Sequence, residues 1–272
     1  MIIFANNFVS NVKIMKLKRK FPFELILFFV FPSVFFTACQ SGKSIQRQMF
    51  NIQSELFYSL TTPAYPDTVV NIIYLNPVYD SPILPYTTVH RKGVTVVPLI
   101  FYNYSKINYN VELGNSSFIQ PYHEFLMDAL MAQCNRSSCF NLLINDEVVL
   151  PDSAMILEVK INKNVTTSRM INKGFFVFIP IGEDFIFNSD TWEVEKPVSL
   201  LEISVRLMQN NKCLWERVYS NTKDFPYNKS GIEIPFHAYE ICVENMTECL
   251  SFATKDIVEN ISQYLHLLML AM

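Results

Sequence analysis

The sequence has few of the residues that build phosphate-binding and nucleophilic loops. Its 272 residues include six glycines, at positions 42, 93, 114, 174, 182 and 231. No two of them lie close enough to form a glycine-rich loop around a phosphate group. The motif G-x-S-x-G is also missing, so no nucleophile elbow is visible. These absences argue against a nucleotide-binding loop and against a hydrolase of the elbow type.

Histidine is equally scarce, and its distribution does not indicate a metal site. The four histidines are scattered along the chain without an H-E-x-x-H motif and without a matching pair of cysteines, at His90, His123, His237 and His266. Zinc sites in proteins use closely spaced cysteine and histidine ligands. We therefore predict no metal and no cofactor.

One pair of residues leaves a catalytic alternative open. His123 and Glu124 are neighbours on a predicted helix and could carry out acid–base chemistry in an envelope hydrolase. The competing interpretation is a solvated polar face, because the sequence places no third group beside them. We favour the second interpretation, and we assign no catalytic residue.

Charge is distributed unevenly along the chain. Residues before position 39 carry five bases and one acid, out of totals of 22 and 25, which leaves 17 bases and 24 acids, or about −7, for the remainder. Binding to nucleic acid requires clustered Lys and Arg that neutralise phosphates. The remainder has no basic patch interleaved with aromatic residues, so we predict no nucleic-acid partner.

The N-terminal segment has the layout of a secretory signal peptide. The basic stretch "KIMKLKRK" (13–20) precedes the apolar stretch "FPFELILFFVFPSVFF" (21–36). Its longest uncharged portion, residues 25–36, is shorter than the about 20 residues that span a bilayer, and Pro22 and Pro32 interrupt it. A basic region, a short apolar region and small residues at the end are typical of a cleaved signal. Met15 would give a compact basic region and is a candidate for the true start.

The end of this segment resembles the lipobox of bacterial lipoproteins. The sequence Phe36-Thr37-Ala38-Cys39 follows the pattern of Leu, Ala or Ser, Gly or Ala, and Cys, with Phe36 in place of Leu. The resemblance implies that Cys39 is acylated and becomes the first residue of the mature chain. A cysteine is required there because its thiolate forms the thioether to the lipid. The alternative is an ordinary signal peptide that happens to contain a cysteine near its cleavage site.

The lipobox resemblance also implies a location. Several acyl chains on one residue hold a protein firmly at a bilayer surface. In Gram-negative lipoproteins an Asp after the lipidated cysteine causes retention in the inner membrane, and here that residue is Gln40. The expectation is therefore an outer-membrane lipoprotein that faces the periplasm, with the membrane and an envelope protein as its partners.

Composition divides the chain into three parts. Residues 1–38 are the predicted signal peptide, and residues 39–90 are a predicted lipidated tether followed by a proline-containing extended segment. Five prolines lie between residues 61 and 90, at positions 63, 66, 77, 82 and 85. Regular patterns begin at Arg91, so we place a folded domain at residues 91–272.

Hydrophobic periodicity predicts the elements of this domain. We predict strands at 69–75, 94–102, 140–145, 154–165 and 175–181, and a β-hairpin at 200–220. Asn210-Asn211 would form the turn of that hairpin, because Asn tolerates positive φ. Two helices are predicted, at 116–133 and 247–270, with Ser117 as the cap of the first and Pro121 in its first turn.

These elements predict an α+β fold: a mostly antiparallel sheet with two helices packed on one face, preceded by the proline-containing extended segment. The order of elements behind a lipoprotein signal resembles that of periplasmic lipoproteins with the anticodon-binding-domain-like fold. The parts that carry the resemblance are "VTVVPLI", the helix 116–133, "FNLLIN", the strand 154–165, the hairpin and the last helix. The glycine-rich turn that usually follows the first strand of that fold is missing, and no functional residue is carried over.

The cysteines allow two short disulfides in an oxidising compartment. Cys134 and Cys139 bracket "CNRSSC", and Cys242 and Cys249 bracket "CVENMTEC". Cys213 would then remain unpaired and pack as a small apolar residue. The alternative is that all of these cysteines are free thiols.

The sequence leaves three functional hypotheses. The first is a non-enzymatic lipoprotein that binds or helps to assemble envelope machinery. The second is a secreted, disulfide-bonded glycoprotein, because seven N-x-S/T triplets occur, at Asn103, Asn115, Asn135, Asn164, Asn228, Asn245 and Asn260. The third is the envelope hydrolase based on His123 or Glu124. A chain rich in Asn, Ser and Thr also produces such triplets by chance, and we favour the first hypothesis.

Overall fold

The described part of the protein consists of three helices and nine strands. A computed structural model describes residues 41–60, 71–78, 82–98, 102–137, 139–145, 150–151, 153–179, 185–224, 226 and 228–271. Within these residues the helices are α1 (Gly42–Met49), α2 (Tyr122–Cys134) and α3 (Pro235–Ala271). The strands are β1 (Asn71–Leu75), β2 (Thr88–Pro98), β3 (Tyr102–Glu112), β4 (Phe140–Ile144), β5 (Met155–Ile179), β6 (Phe185–Val194), β7 (Val198–Gln209), β8 (Lys212–Asp224) and β9 (Lys229–Ile232).

Strand β5 forms hydrogen bonds along both of its edges. Its first half pairs with β1 on one side and with β7 on the other, and its second half pairs with β3 and β6. The strands β1, β4 and the start of β5 are parallel to one another, and the remaining pairs are antiparallel. The fold is therefore α+β with a large, mostly antiparallel sheet.

A bulge in β5 changes which of its residues face the core. The pairing with β7 shifts between Ile161 and Lys163. Before the bulge the buried side chains are at odd positions, at residues 155, 157, 159 and 161, whereas after it they are at even positions, at residues 164, 166, 168 and 170. One extra residue in a strand exchanges its two faces in this way.

The long helix α3 covers the inner face of the sheet. It contacts α2 and the strands β5 to β9. Its apolar stripe includes Leu250, Ile257, Ile261 and Leu265, each with no exposed surface or close to none. Four small polar residues also lie on the buried side, and two of them, Ser251 and Thr254, donate hydrogen bonds to carbonyl groups four residues earlier.

The N-terminal helix α1 is part of the core. Ser41 accepts a hydrogen bond from the backbone N–H of Ser44 and so caps the helix. Ile45 and Met49 are completely buried, and Ile52 and Leu56 further along are buried as well. A Cβ atom at Gly42 would lie 2.6 Å from the carbonyl oxygen of Val89, so glycine allows the helix to touch β2. This stretch of the predicted 39–90 tether and extended segment therefore packs into the core, and the packed part of the chain includes residues before Arg91.

Several other predictions are corrected by the structure. The first predicted helix begins at Tyr122 and not at 116, because Asn115–Ser117 forms a short 3-10 turn. There the Ser117 hydroxyl bonds to that of Thr87 at 2.6 Å and caps nothing. The last helix begins at Pro235, twelve residues before the predicted start. The predicted strands at 154–165 and 175–181 belong to one strand, β5, and the strand predicted at 94–102 spans parts of both β2 and β3.

The predicted hairpin is confirmed. Strands β7 and β8 pair with Gln209 opposite Lys212, and Asn210 and Asn211 adopt φ values of 52° and 57°. Two successive residues with positive φ form a type I′ turn, whose twist matches that of the flanking strands. The predicted strand at 140–145 is also confirmed, as β4.

Replacing Ile45 with Ala tests whether α1 belongs to the core. We expect the free energy of unfolding in urea to fall by about 2–5 kcal/mol, because the substitution leaves a cavity at a fully buried site. Gln48→Ala, on the exposed side of the same helix, should change it by less than about 0.5 kcal/mol. Equal effects of the two substitutions would show that α1 does not pack as described.

Candidate functional site

A group of aromatic residues and an arginine lies where β8 meets α3. Within the described residues β8 pairs only with β7, so its other edge is open. The side chains of β8 that face α3 include Trp215, Arg217 and Tyr219, and α3 contributes Tyr264. We call these four residues the aromatic–arginine surface.

The rings of this surface hold the arginine in place. Trp215 and Tyr264 are stacked, with their ring centroids 5.3 Å apart and their planes at 17°. The Arg217 guanidinium lies 5.2 Å from the ring centroid of Tyr219 and 4.8 Å from that of Tyr264. A cation over two aromatic faces is attracted by both. Among the described residues Arg217 has no ion-pair partner, so its N–H groups remain able to bind an acceptor.

Exposed apolar side chains continue the surface along α3. Tyr264 is 38% exposed, Leu267 is 62% exposed and Leu270 is 64% exposed. Residues three apart on a helix share a face, so these three form one stripe. Leu214 on β8 is also exposed. Trp, Tyr and Arg are the residues that contribute most of the energy at protein–protein interfaces.

A polar cleft of about 330 Å³ adjoins this surface, between β8 and α3. It is lined by Tyr219, Ser220, Asn221, Asp256, Ile257, Glu259, Asn260 and Gln263. The Asp256 carboxylate accepts hydrogen bonds from Lys223 Nζ at 2.8 Å and from Asn221 Nδ2 at 3.1 Å. These contacts join the edge strand to the helix, and both partners in the ion pair are half exposed, so the pair itself stabilises the fold little.

The hydroxyl group of Tyr219 is buried beneath the arginine. Burial raises the pKa of this hydroxyl, although the nearby Arg217 acts in the opposite direction. A phenol with a raised pKa is neutral at physiological pH, so the charge of the site comes from Arg217 and from the carboxylates of the cleft. The arrangement can bind a partner, because it presents a fixed cation on an apolar platform.

A second cleft, of about 460 Å³, lies beside α1. Its lining residues are Lys43, Gln46, Arg47, Phe50, Asn51 and Tyr86. The rings of Phe50 and Tyr86 are 5.6 Å apart, and both side chains are more than half exposed. We call Lys43, Arg47, Phe50 and Tyr86 the N-terminal surface.

A third cleft, of about 310 Å³, separates the ends of α2 and α3. Gln133, Arg136 and Ser137 line one side, and residues of the last turns of α3 line the other. His266 Nδ1 lies 2.9 Å from the Ser137 hydroxyl oxygen, which ties the end of α2 to α3. This contact gives His266 a structural role.

The candidate catalytic pair lies apart from these three clefts. His123 Nε2 is 4.0 Å from Glu124 Oε1 in the first turn of α2, and both side chains are partly exposed. Neither residue lines any of the three clefts described above. In the part of the chain that the structure describes, no three His, Cys, Asp or Glu side chains converge as a metal site requires.

The predicted lipidation site, Cys39, lies outside the described residues, as does the apolar segment before it. Within the residues that are described, no helix combines the length and the apolar character needed to cross a bilayer.

In the part of the chain that the structure describes, neither predicted pair of cysteines forms a disulfide. The pairing of Cys242 with Cys249 is wrong, because both lie in α3 seven residues apart, about 10 Å along a helix axis. A disulfide requires Cα atoms no more than about 7 Å apart. Cys134, at the end of α2, is buried, and Cys139 is half buried in the loop before β4. A bond between those two stays a prediction.

Five of the seven potential glycosylation sites have a buried side chain or one that forms a hydrogen bond within the fold, at Asn115, Asn135, Asn164, Asn228 and Asn260. Asn164 is only 2% exposed and faces the core from β5. The side-chain oxygens of Asn115 and Asn135 accept hydrogen bonds from the backbone N–H groups of Tyr122 and Leu142. A glycan on Asn164 has no room in this structure, so that triplet is accounted for without glycosylation.

Comparisons with known proteins give little further information. No protein-family model matches the chain, and no curated protein is similar to it at a significant level. Among solved structures it is similar to protein XCC0632 from Xanthomonas campestris, of family DUF330, at 10% identity with a TM-score of 0.42. The similarity covers 79% of this chain and 94% of that one. No functional argument rests on a likeness of this degree.

Sequence reasoning missed the aromatic–arginine surface. Trp215, Arg217 and Tyr219 lie at every second position of β8, but Tyr264 is 45 residues further on than Tyr219, in another element. The only local signal was the presence of three large side chains on one side of a predicted hairpin strand.

The buried thiols should be protected from alkylation. Burial raises the pKa of Cys134 and of Cys242 to about 12, and that of Cys249 to about 11. At pH 8 only about one part in ten thousand of a thiol with a pKa of 12 is thiolate, which is the reactive form. We expect iodoacetamide to modify the exposed Cys213 within minutes and the buried three only after unfolding, as measured by mass spectrometry of peptides. Rapid modification of Cys134 in the folded protein would contradict its placement.

Proposed function

We propose that the chain is a lipoprotein of the cell envelope, anchored through acyl chains on Cys39, with a binding or assembly role and no catalytic activity. The basic stretch 13–20, the short apolar segment and the lipobox-like residues 36–39 support this anchor. Gln40 in place of Asp favours the outer membrane, with the domain facing the periplasm. The proposal retains the prediction that two helices cover one face of the sheet, which the contacts of α3 with β5 to β9 and of α2 with α3 favour.

The observation that carries the binding role is the aromatic–arginine surface. Its exposed Tyr264 and half-buried Trp215 have the composition of an interface hot spot, and the apolar stripe of Leu267 and Leu270 extends it. Arg217 is preordered by two rings and has no acidic partner among the described residues. We therefore propose that the partner is an envelope protein that presents a carboxylate to Arg217.

A binding role also agrees with the placement of the candidate catalytic residues. A general base must lie within hydrogen-bond reach of a bound substrate. His123 and Glu124 contact each other at the surface of α2, outside the three clefts. This placement favours the solvated polar face over the hydrolase alternative.

Replacing Cys39 with Ala tests the anchor. We expect the variant to lose incorporation of labelled palmitate and to remain as the unprocessed precursor, because the lipid thioether can form only at a cysteine. Cys213→Ala, which removes an exposed thiol elsewhere, is the matched control and should be acylated like the natural protein. Unchanged processing and membrane fractionation of Cys39→Ala, or insensitivity of the natural protein to globomycin, would refute the lipoprotein assignment.

Site-specific photo-crosslinking in cells tests the partner surface. A photoreactive amino acid in place of Tyr264 should give one discrete adduct with an envelope protein, and Arg217→Glu in the same chain should reduce its yield by about tenfold or more, as expected when a buried charge pair is reversed. A photoreactive residue in place of Lys160, which is exposed on β5, is the control and should give none. Equal adducts at both positions would show that the contact is not specific to this surface.

A further inference from the structure

We propose that the N-terminal surface rests on the bilayer and binds the phosphate groups of its phospholipids, so that the anchored domain is held in a fixed orientation. This inference rests on the proposed function, because it assumes acylation at Cys39. It adds a binding surface with a defined ligand class, the anionic phospholipid headgroup.

Chain length places this surface beside the anchor. Only Gln40 separates Cys39 from Ser41, the residue that caps α1. Two residues of chain reach at most about 7 Å. The core of the domain begins four residues after this cap, at Ile45. An acylated Cys39 therefore brings α1 itself to the headgroup region and leaves no room for a long tether.

The charges of α1 match that environment. Lys43 and Arg47 are four residues apart, so they lie on one face of the helix, and both are exposed because Ile45 and Met49 occupy the buried face. Among the described residues neither Lys43 nor Arg47 has an ion-pair partner, and the cleft that they line contains no acidic residue. Arg91 and Lys92 on β2 are exposed nearby, since α1 contacts β2 at Val89 and Arg91.

The exposed aromatic residues of the N-terminal surface also suit a bilayer interface. Phe50 is 52% exposed and Tyr86 is 54% exposed, and their rings lie together beside the two basic residues. Aromatic rings prefer the boundary between the headgroups and the acyl chains of a bilayer. Basic residues combined with exposed aromatic residues are the composition of peripheral membrane surfaces.

The negative charge of the chain from Cys39 onward favours a single orientation of the domain on an anionic bilayer. The chain from Cys39 onward carries about −7, so an anionic bilayer repels most of the domain. The N-terminal surface is a basic exception next to the anchor. Each basic residue near an anionic bilayer contributes roughly a fivefold increase in binding. Attraction here and repulsion elsewhere favour one orientation of the domain.

Fluorescence quenching by brominated lipid tests the inference. The acylated protein carrying Phe50→Trp is incorporated into vesicles of brominated phosphatidylcholine, either alone or mixed equally with phosphatidylglycerol. We expect the added indole to be quenched at least twofold more than that of Val218→Trp, which lies on the far face of β8. The difference should be larger in the vesicles that contain phosphatidylglycerol.

Charge reversal provides the matched comparison. Lys43→Glu with Arg47→Glu should reduce the quenching of Phe50→Trp to the level of the Val218→Trp control. Lys212→Glu with Lys229→Glu, the same change of charge at exposed positions on β8 and β9, should leave it unchanged. Circular dichroism and the urea midpoint will show that each variant is folded. Equal quenching at positions 50 and 218, or equal loss in both charge variants, would overturn the inference.

Failure of the anchor can be separated from failure of the surface. Mass spectrometry of the N-terminal peptide shows directly whether Cys39 is acylated. If it is not, flotation of the processed protein with vesicles containing phosphatidylglycerol still tests the surface. Flotation of the natural protein that is lost with the Lys43 and Arg47 reversal would support the surface without the anchor, and no flotation would refute both.

Discussion

Hydrogen bonding along both edges of β5 is the constraint on which the rest of the structure depends. A strand of 25 residues would expose its backbone groups if it were paired on one side only, and each buried unpaired group costs free energy. Four other strands satisfy these groups, two on each edge, and so the positions of β1, β3, β6 and β7 are set relative to one another. The bulge between Ile161 and Lys163 then decides which residues face α3. It places Leu157 and Met170 on the same side of the sheet although their positions differ by an odd number, 13.

The two surfaces with functional consequences follow from how the sheet is covered. Helix α3 buries the inner face, but among the described strands β8 pairs only with β7, and so its inward-facing side chains reach only the rim of the helix. Trp215 and Arg217 therefore remain partly exposed beside Tyr264 and are not buried in the core. Helix α1 is buried along one stripe through Ile45 and Met49, and this leaves Lys43 and Arg47 facing outward beside the point where the chain enters the domain. Both surfaces are exposed because the elements that carry them lie at the margins of the core.

Local patterns predicted some elements well and others poorly, and the difference has physical causes. The hairpin of β7 and β8 was predictable because alternation is regular in β7 and because two asparagines permit the positive φ values of its turn. Strand β5 was divided in two because the bulge reverses the alternation and because its core-facing residues after it are polar, Asn164, Thr166 and Ser168. The first part of α3, residues 235–246, was missed although its buried residues Ala238, Cys242 and Met246 recur at helical spacing. Helix α1 was read as a tether because eight mostly polar residues with two buried apolar side chains give a weak signal.

The sequence by itself determined the α+β class and the turn at Asn210-Asn211. It also contains the features that support the proposed location in the cell envelope, which are the basic stretch 13–20, the apolar segment and Cys39. Each depends on residues that are neighbours in the chain, so local composition and spacing suffice. The tertiary structure alone decided that residues 42–58 belong to the core, that Cys242 and Cys249 cannot pair, and that Trp215, Arg217 and Tyr264 form one surface. Those outcomes depend on contacts between elements distant in sequence or on the full extent of a helix. The physical reason is that burial and ring stacking join side chains from separate elements, and neighbouring residues do not specify that pairing.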